Sequence, residues 1–228
     1  MAARPSSRAM DWGRLKTKVL LKKGAEANLY LEEWNGRKVI MKRRLTKAYR
    51  QPQLDKVIRT QRTLHEPTLI HRAKEAGVPT PTIYMVDLAS SNIIMEYVEG
   101  KQIKQVLNDM PQKEKLRLCR QIGTLIGRLH KNGIIHGDLT TSNMILTPAG
   151  RICFVDFGLG EYSSELEIRG VDQHLMKRAL QSTHHRYAKE CFEAVLAGYT
   201  ESVGKEEAKK VLEKIQEIER RGRYIEER

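Results

Sequence analysis

Residues 136–143 read His136-Gly137-Asp138-Leu139-Thr140-Thr141-Ser142-Asn143, between an apolar pair, Ile134-Ile135, and an apolar run, Met144-Ile145-Leu146. An acid, Asp138, stands five residues before an amide, Asn143. A second acid follows the next apolar run and opens Asp156-Phe157-Gly158. Both loops sit at the edges of strand-like runs. Phosphoryl transfer asks a protein for positioning and charge neutralisation rather than covalent chemistry. One carboxylate must face the attacking hydroxyl or water, and Asp138 is placed for that. One amide and one carboxylate must hold magnesium on nucleotide phosphates, and Asn143 and Asp156 are placed for that. Gly158 is expected to let the chain turn after the metal ligand, because glycine reaches φ > 0 cheaply. Either loop alone is a short string that recurs by chance. The two together, in this order, supply the base, the amide and the metal-holding acid that such a transfer needs.

Upstream, the other parts of that set fall in order. Lys18-Val19-Leu20-Leu21 reads as a first strand, and Gly24-Ala25-Glu26-Ala27 as a turn of small residues before a second. Such a turn lets backbone N–H groups approach phosphates, although kinases usually carry G-x-G-x-x-G there. Asn35-Gly36 signals a tight turn. Lys38–Lys42 then reads as a third strand, with Lys42 where the V-A-I-K lysine grips the α- and β-phosphates. A helix pattern opens near Pro52, a residue suited to the first helical turn, with Leu54, Val57, Ile58 and Leu64 on one expected apolar face. Glu66 is the candidate partner of Lys42. Pro67, which costs a helix interior about 3 kcal/mol, predicts a bend at Glu66 or a new helix starting there. Thr82–Val86 and Asn92–Glu96 read as two more strands. Met95 is expected to back an adenine pocket, with main-chain groups of Glu96 and Val98 bonding the adenine edge.

Leu116, Cys119, Ile122, Ile126 and Leu129 make one apolar face of a helix over Gln112–Lys131, stopped by Asn132-Gly133. His130 and His136 read as packed or hydrogen-bonding residues, since nothing near them has ligand spacing. Beyond Gly158 there is no A-P-E sequence and no room for a long activation segment. Asp172 is expected to begin a helix and either to hydrogen-bond the catalytic loop or simply to charge a helix N-terminus. His184–Ala197 and Glu206–Arg220 read as two closing helices.

A chain of 228 residues suits one domain or two small lobes. The 41 Lys+Arg against 28 Asp+Glu leave a charge of +13, which favours a polyanion such as nucleic acid as partner. Three scattered cysteines without a C-x-x-C pair fit a reducing compartment and exclude a zinc site of the usual spacing. No apolar run is long enough to span a bilayer, and residues 1–10 lack a secretory apolar region. A cytoplasmic protein, or a nuclear one in a cell with a nucleus, is expected, with no membrane partner.

With these motifs in hand, the chain resembles the small atypical kinase subunit of the KEOPS (EKC) complex, the PRPK family. The resemblance rests on Lys23-Gly24-Ala25-Glu26-Ala27, Lys42-Arg43-Arg44 leading to Tyr49-Arg50-Gln51-Pro52, Ala76-Gly77-Val78-Pro79-Thr80-Pro81, the 136–143 and 156–159 loops, and Leu180-Gln181-Ser182-Thr183-His184. It covers Lys22 to the tail, whose Arg-Gly-Arg-Tyr looks archaeal. It implies a minimal bilobal α+β fold, with an antiparallel-sheet N-lobe at 11–97 and a reduced, mostly helical C-lobe at 98–222. A flexible tail at 1–10 and a basic tail at 223–228 would flank them. It further implies a magnesium-dependent ATPase, also able to autophosphorylate, serving the enzyme that attaches threonylcarbamoyl to adenosine in tRNA. The implied partners are that threonylcarbamoyl-transferase subunit, a small KEOPS subunit on the N-lobe, and tRNA through basic surface and tail.

Three departures stand out. Pro67 follows Glu66. Gly137 replaces the arginine of H-R-D, and Thr140 stands where a lysine often steadies the transferred phosphate. The last two argue against efficient phosphorylation of free protein substrates. Two rival readings remain. Aminoglycoside- and choline-type phosphotransferases share H-G-D loops but usually carry longer C-terminal helical parts, whereas 70 residues follow Gly158 in this chain of 228. A nucleotide-binding scaffold is the other.

Overall fold

A computed structural model describes residues 16–226, with side chains over 19–221. The expected tail at 1–10, and the side chains of the expected basic tail at 223–228, lie outside the described residues. In chain order the elements are β1 (Lys16–Lys23), β2 (Ala27–Trp34), β3 (Arg37–Arg44), α1 (Pro52–Glu75), β4 (Ile83–Asp87), β5 (Asn92–Glu96), β6 (Lys101–Gln102) and α2 (Ile103–Val106). They continue with α3 (Gln112–Lys131), β7 (Ile134–Ile135), β8 (Met144–Leu146), β9 (Ile152–Phe154), β10 (Glu161–Tyr162), α4 (Leu166–Thr183), α5 (Ala188–Val203) and α6 (Lys205–Glu226). The first half is an antiparallel sheet in the order β1-β2-β3-β5-β4 with α1 packed on it. The second half is helical, with two small sheets, β10-β7 and β6-β8-β9, at its upper edge.

Asn35 (φ 50) and Gly36 (φ 74) both take the left-handed conformation, and β2 and β3 pair in register from Trp34–Arg37 back to Ala27–Arg44. That two-residue turn sets which residues of β3 face the cleft, because side chains alternate along a strand. Val39, Met41 and Ile94 form the small apolar core of the sheet. The main core lies below, where Leu69, Ile70 and Ala73 of α1 meet α3, α4, α5 and the buried Phe154 and Phe157.

Of the two expectations at Pro67, a new helix is excluded, since α1 runs unbroken for 24 residues through it. Its buried face is Asp55, Thr63, Glu66, Leu69, Ile70 and Ala73, while Leu54, Val57 and Leu64 are 53%, 51% and 51% exposed. Both have one cause. Packing of Leu69, Ile70 and Ala73 beyond the proline outweighs the lost hydrogen bond of about 3 kcal/mol. Those contacts dictate the rotation of the whole helix, and its N-terminal half turns a polar face inward.

Other boundaries also shift. α4 begins at Leu166, so Asp172 lies in its second turn rather than at its start. α5 begins at Ala188 rather than His184, and α6 continues past Arg220 to Glu226. On α3 the inward face carries Leu118, Cys119, Ile122, Ile126 and Leu129, with Lys115 buried beside them and Leu116 only half-buried.

α3 and α5 touch backbone to backbone. A Cβ on Gly123 would overlap the carbonyl oxygen of Val195, and one on Gly198 would overlap that of Arg120. Neither obstacle is a side chain that can swing away. Gly123→Ala is therefore expected to lower stability by about 3 kcal/mol, the upper part of the usual overpacking range. Denaturant midpoints measure this; a loss under about 0.5 kcal/mol would mean that the helices separate freely.

Candidate functional site

β3 and α1 bring the first charges together. Lys42 Nζ donates to Glu66 Oε1 at 2.6 Å and to Asp156 Oδ1 at 2.6 Å. Glu66, 1% exposed, is also gripped by Arg44, whose Nη2 reaches Oε2 at 2.5 Å and donates to the Arg62 carbonyl at 3.2 Å. Burial pulls the Lys42 ammonium down, but the carboxylates of Glu66 and Asp156 outweigh it and its pKa rises. Burial pushes the Asp156 carboxyl up, yet the Lys42 charge and hydrogen bond hold it below the usual range. Both groups stay charged through neutral pH. The sequence reading quoted Arg44 without giving it a site role, although it stands two residues from Lys42 and so on the same face of the strand.

The turn after Asp156 differs from expectation. The left-handed residue is Asp156 itself, at φ 65, and Gly158 is not among the positive-φ residues. What Gly158 supplies is room: a Cβ there would lie 3.2 Å from both Lys42 Nζ and Asp156 Oδ1. The strained backbone at Asp156 aims its carboxylate at Lys42, a kind of strain that clusters at functional sites.

The 136–143 loop is held from below. Asp172 Oδ2 accepts from the His136 N–H at 3.0 Å, and Oδ1 from the Gly137 N–H at 2.9 Å. Of the two expectations for this acid, the loop contact is the one the structure contains. Gly137 sits at φ 77 against the Leu159 carbonyl, so an arginine at this place would be strained and would collide. Asn143 Nδ2 donates to the Asp138 carboxylate at 2.7 Å and to its carbonyl at 3.0 Å. His130 is fully buried between Tyr199 and Asp172. His136 packs on Phe157 with ring centroids 4.5 Å apart.

His136 also carries a proton-dependent contact. Its Nε2–H donates to the Val155 carbonyl at 3.2 Å, and its Nδ1 accepts from the Asp138 N–H at 3.3 Å. Only the neutral ring can do both. Burial holds its pKa below the ordinary value, against the pull of Asp172 and Asp156. His184, between Asn108 at 2.7 Å and Thr141 at 3.0 Å, is likewise lowered by burial. For both, the unfolded chain binds the proton more readily, so their stability is present above about pH 6.5 and lost as pH falls below it. Unfolding free energy is expected to drop between pH 7.5 and 5.5, by at most about 1.4 kcal/mol per imidazole, the limit set by proton uptake of the unfolded chain. Denaturant melts at both values measure it, and a flat profile would contradict the two assignments.

Two adjoining cavities fill the cleft. One, of about 670 Å³, has Leu29, Ile40, Met95, Val98, Ile145 and Val155 on its walls, with Glu96 at its edge. That size and apolar lining suit a nucleoside. The Glu96 N–H is already bonded to the Thr82 carbonyl at 2.8 Å, which leaves its carbonyl as the group to face a base. The second, of about 220 Å³, lies under Gly24, Ala25, Glu26 and Ala27 and reaches Asp138. Lys22, Leu29, Lys42 and Asp156 border both. Together they bring all the expected site residues to one cleft: Glu66 and Asn143 line the larger cavity and Asp138 the smaller. The Glu26 side chain turns away to α1, where Arg62 Nη1 meets it at 2.8 Å and Arg50 Nη2 at 3.2 Å.

Comparisons with known proteins give the family and the fold. The model of the lipopolysaccharide kinase (Kdo/WaaP) family matches residues 17–218. The KEOPS complex subunit Bud32 of Pyrococcus abyssi is 47% identical over 213 residues, covering 91% of this chain and 96% of that protein. A probable bifunctional tRNA threonylcarbamoyladenosine biosynthesis protein of Methanothermobacter thermautotrophicus is 46% identical over 205 residues, 90% of this chain but 36% of that protein. The chain thus spans about a third of that longer relative. The Rio2 kinase of Chaetomium thermophilum superimposes with a TM-score of 0.60 at 18% identity, over 87% of this chain and 71% of that one. That likeness shows the bilobal kinase fold: an antiparallel-sheet half over a mostly helical half. A match over nearly the whole chain, on top of that fold and cleft, settles the family: the chain belongs to the lipopolysaccharide kinase (Kdo/WaaP) family and to the family of the KEOPS complex subunit Bud32.

Proposed function

We propose that this chain is an ATP-hydrolysing atypical Ser/Thr kinase subunit of a KEOPS complex, supporting threonylcarbamoyladenosine modification of tRNA. The observation that carries the reading is the convergence of Lys42, Glu66 and Asp156 at 2.6 Å contacts beside an Asn143–Asp138 pair at 2.7 Å. In this reading the base stacks between Leu29, Ile40 and Val155, and its edge bonds the main chain at Glu96 and Val98. Lys42, kept in place by Glu66, donates to the phosphates, and the N–H groups of residues 24–27 cap them. Asp138 orients the water or hydroxyl and takes its proton.

The amide oxygen of Asn143 and the carboxylate of Asp156 are hard oxygen donors, which suit magnesium. Among the described residues no cluster of three or more His, Cys, Asp or Glu offers a metal cage. A two-ligand site completed by phosphates and water is how magnesium is usually held. The ion, when bound, neutralises phosphate charge.

The partners follow from the same reading. The outward stripe Leu54, Val57 and Leu64 on α1 supports docking of a small KEOPS subunit on the sheet half; the threonylcarbamoyl transferase is the second protein partner. The charge of +13 supports tRNA contact. Near the tail, Arg221 is already paired with Glu167 at 2.9 Å, so a phosphate there would have to displace a carboxylate. Among the described residues no helix is long and apolar enough to cross a membrane, in keeping with a cytoplasmic protein. The test is phosphate release by the chain alone and with the transferase subunit and tRNA. Turnover should rise severalfold in the full mixture; an unchanged rate would remove the assignment.

A further inference from the structure

The smaller cavity holds more positive charge than the family motifs call for. It is bordered by Lys22, Lys42, Arg44 and Arg62. Their commitments differ. Lys42 is bound to Glu66 and Asp156, and Arg44 to Glu66 and the Arg62 carbonyl. Lys22 is exposed on β1, where water screens its charge. Arg62 stands on α1 one turn before Glu66 and so on the same face. Its Nη1 is held by Glu26 at 2.8 Å, and Glu26 belongs to the turn that roofs the cavity. Among the described residues Glu26 is the one anion paired with the Arg62 guanidinium.

Chemistry supplies the reason to look at this arginine. A phosphoryl group in flight spreads negative charge over three equatorial oxygens, and a cation on those oxygens lowers the barrier. The catalytic loop has Thr140 where such a cation often stands, and a threonine carries no charge. Asp138 borders the smaller cavity, so a phosphoryl group passing to a water or hydroxyl held by Asp138 must lie inside it. Arg62 is the arginine of that cavity whose counter-ion sits on a turn rather than in the buried core.

We propose that Arg62 is a catalytic residue that binds the γ-phosphoryl group, and that Glu26 occupies its guanidinium until the nucleotide enters. This rests on the kinase reading of the same cleft. In the step, the bond between the γ-phosphorus and the β,γ-bridging oxygen breaks and ADP leaves with the electron pair. The oxygen of the water or hydroxyl bonds to phosphorus, and its proton passes to Asp138. Arg62 donates N–H groups to the γ-oxygens throughout and changes no bond of its own.

The experiment compares two nucleotides that differ only in the third phosphate. Affinities for ADP and for a non-hydrolysable ATP analogue are measured in magnesium buffer for the wild type, Arg62→Ala, Arg62→Lys and Glu26→Gln. Arg62→Ala should weaken the analogue about tenfold or more while moving ADP less than about twofold, and lower kcat about a hundredfold. Arg62→Lys should recover part of the analogue affinity. Glu26→Gln, which releases Arg62 without removing it, and with it Arg50, which lies outside the cavity lining, should tighten the analogue relative to ADP; this arm stands even if Arg62→Ala folds poorly. Equal loss of both nucleotides, or an unchanged ratio in Glu26→Gln, overturns the assignment of Arg62 and leaves the kinase reading in place. A wild type that binds neither nucleotide overturns both.

Discussion

Asp138→Asn is expected to cut ATP turnover by about a hundredfold to ten-thousandfold, the span that a positioned general base contributes. Nucleotide affinity should stay within about threefold of wild type, since the residue faces the acceptor side of the cleft. The variant separates charge from shape. Asparagine keeps an oxygen for the Asn143 Nδ2–H, which now donates to the carboxylate at 2.7 Å. It also keeps the backbone N–H that donates to His136. The loop should hold its form, and only the ability to take a proton is lost. Single-turnover phosphate release beside a nucleotide titration reads the two quantities apart. Turnover within threefold of wild type would remove Asp138 from the mechanism. A parallel collapse of affinity would show that the loop itself had moved.

Glu66→Gln is expected to be the most damaging single change to stability. The cluster holds two cations, Lys42 and Arg44, and two anions, Glu66 and Asp156, so its formal charge is zero. Removing the Glu66 charge leaves two buried cations facing one anion. Breaking a buried ion pair by neutralising one partner costs about 3–5 kcal/mol. For a chain of this size that corresponds to a fall in melting temperature of roughly 6–20 °C. Lys42 is the group most exposed to the change. Burial alone would pull its pKa down, and the Glu66 charge is the largest force holding it up. A second substitution tests this account. Arg44→Met in the Glu66→Gln background removes one of the stranded cations and should restore part of the loss. In the wild type the same Arg44→Met change should destabilise. Effects that simply add would mean that the three side chains do not act as one network.

The readable parts of this molecule were those whose cause is local. Short apolar runs bounded by turn residues placed the strands, and β5 was legible to the residue at Asn92–Glu96. Asn35-Gly36 made its turn because left-handed φ is a property of those two residues and little else. The catalytic loop could be read because an acid and an amide five apart on one tight loop are neighbours wherever the loop goes, and here they are 2.7 Å apart. Glu66 was legible only through the order of motifs, since its partner Lys42 is 24 residues away and Asp156 lies 114 residues from Lys42.

On α3 the apolar face read from the sequence is the buried one but for Leu116; on α1 the chain alone did not reveal which face turns inward. The apolar stripe Leu54, Val57 and Leu64 obeyed helical spacing and pointed to solvent. Leu69, Ile70 and Ala73, anchored in a core built from distant segments, set the rotation of α1 and carried Asp55, Thr63 and Glu66 inside. The same rotation brought Arg62 to the cavity and gave Glu66 its second cation. Asp172 could be named as a candidate, but only the approach of α4 beneath the loop made it the acceptor for His136 and Gly137. Periodicity tells that a helix has sides; the free energy of burying one of them against residues far along the chain decides which side is in.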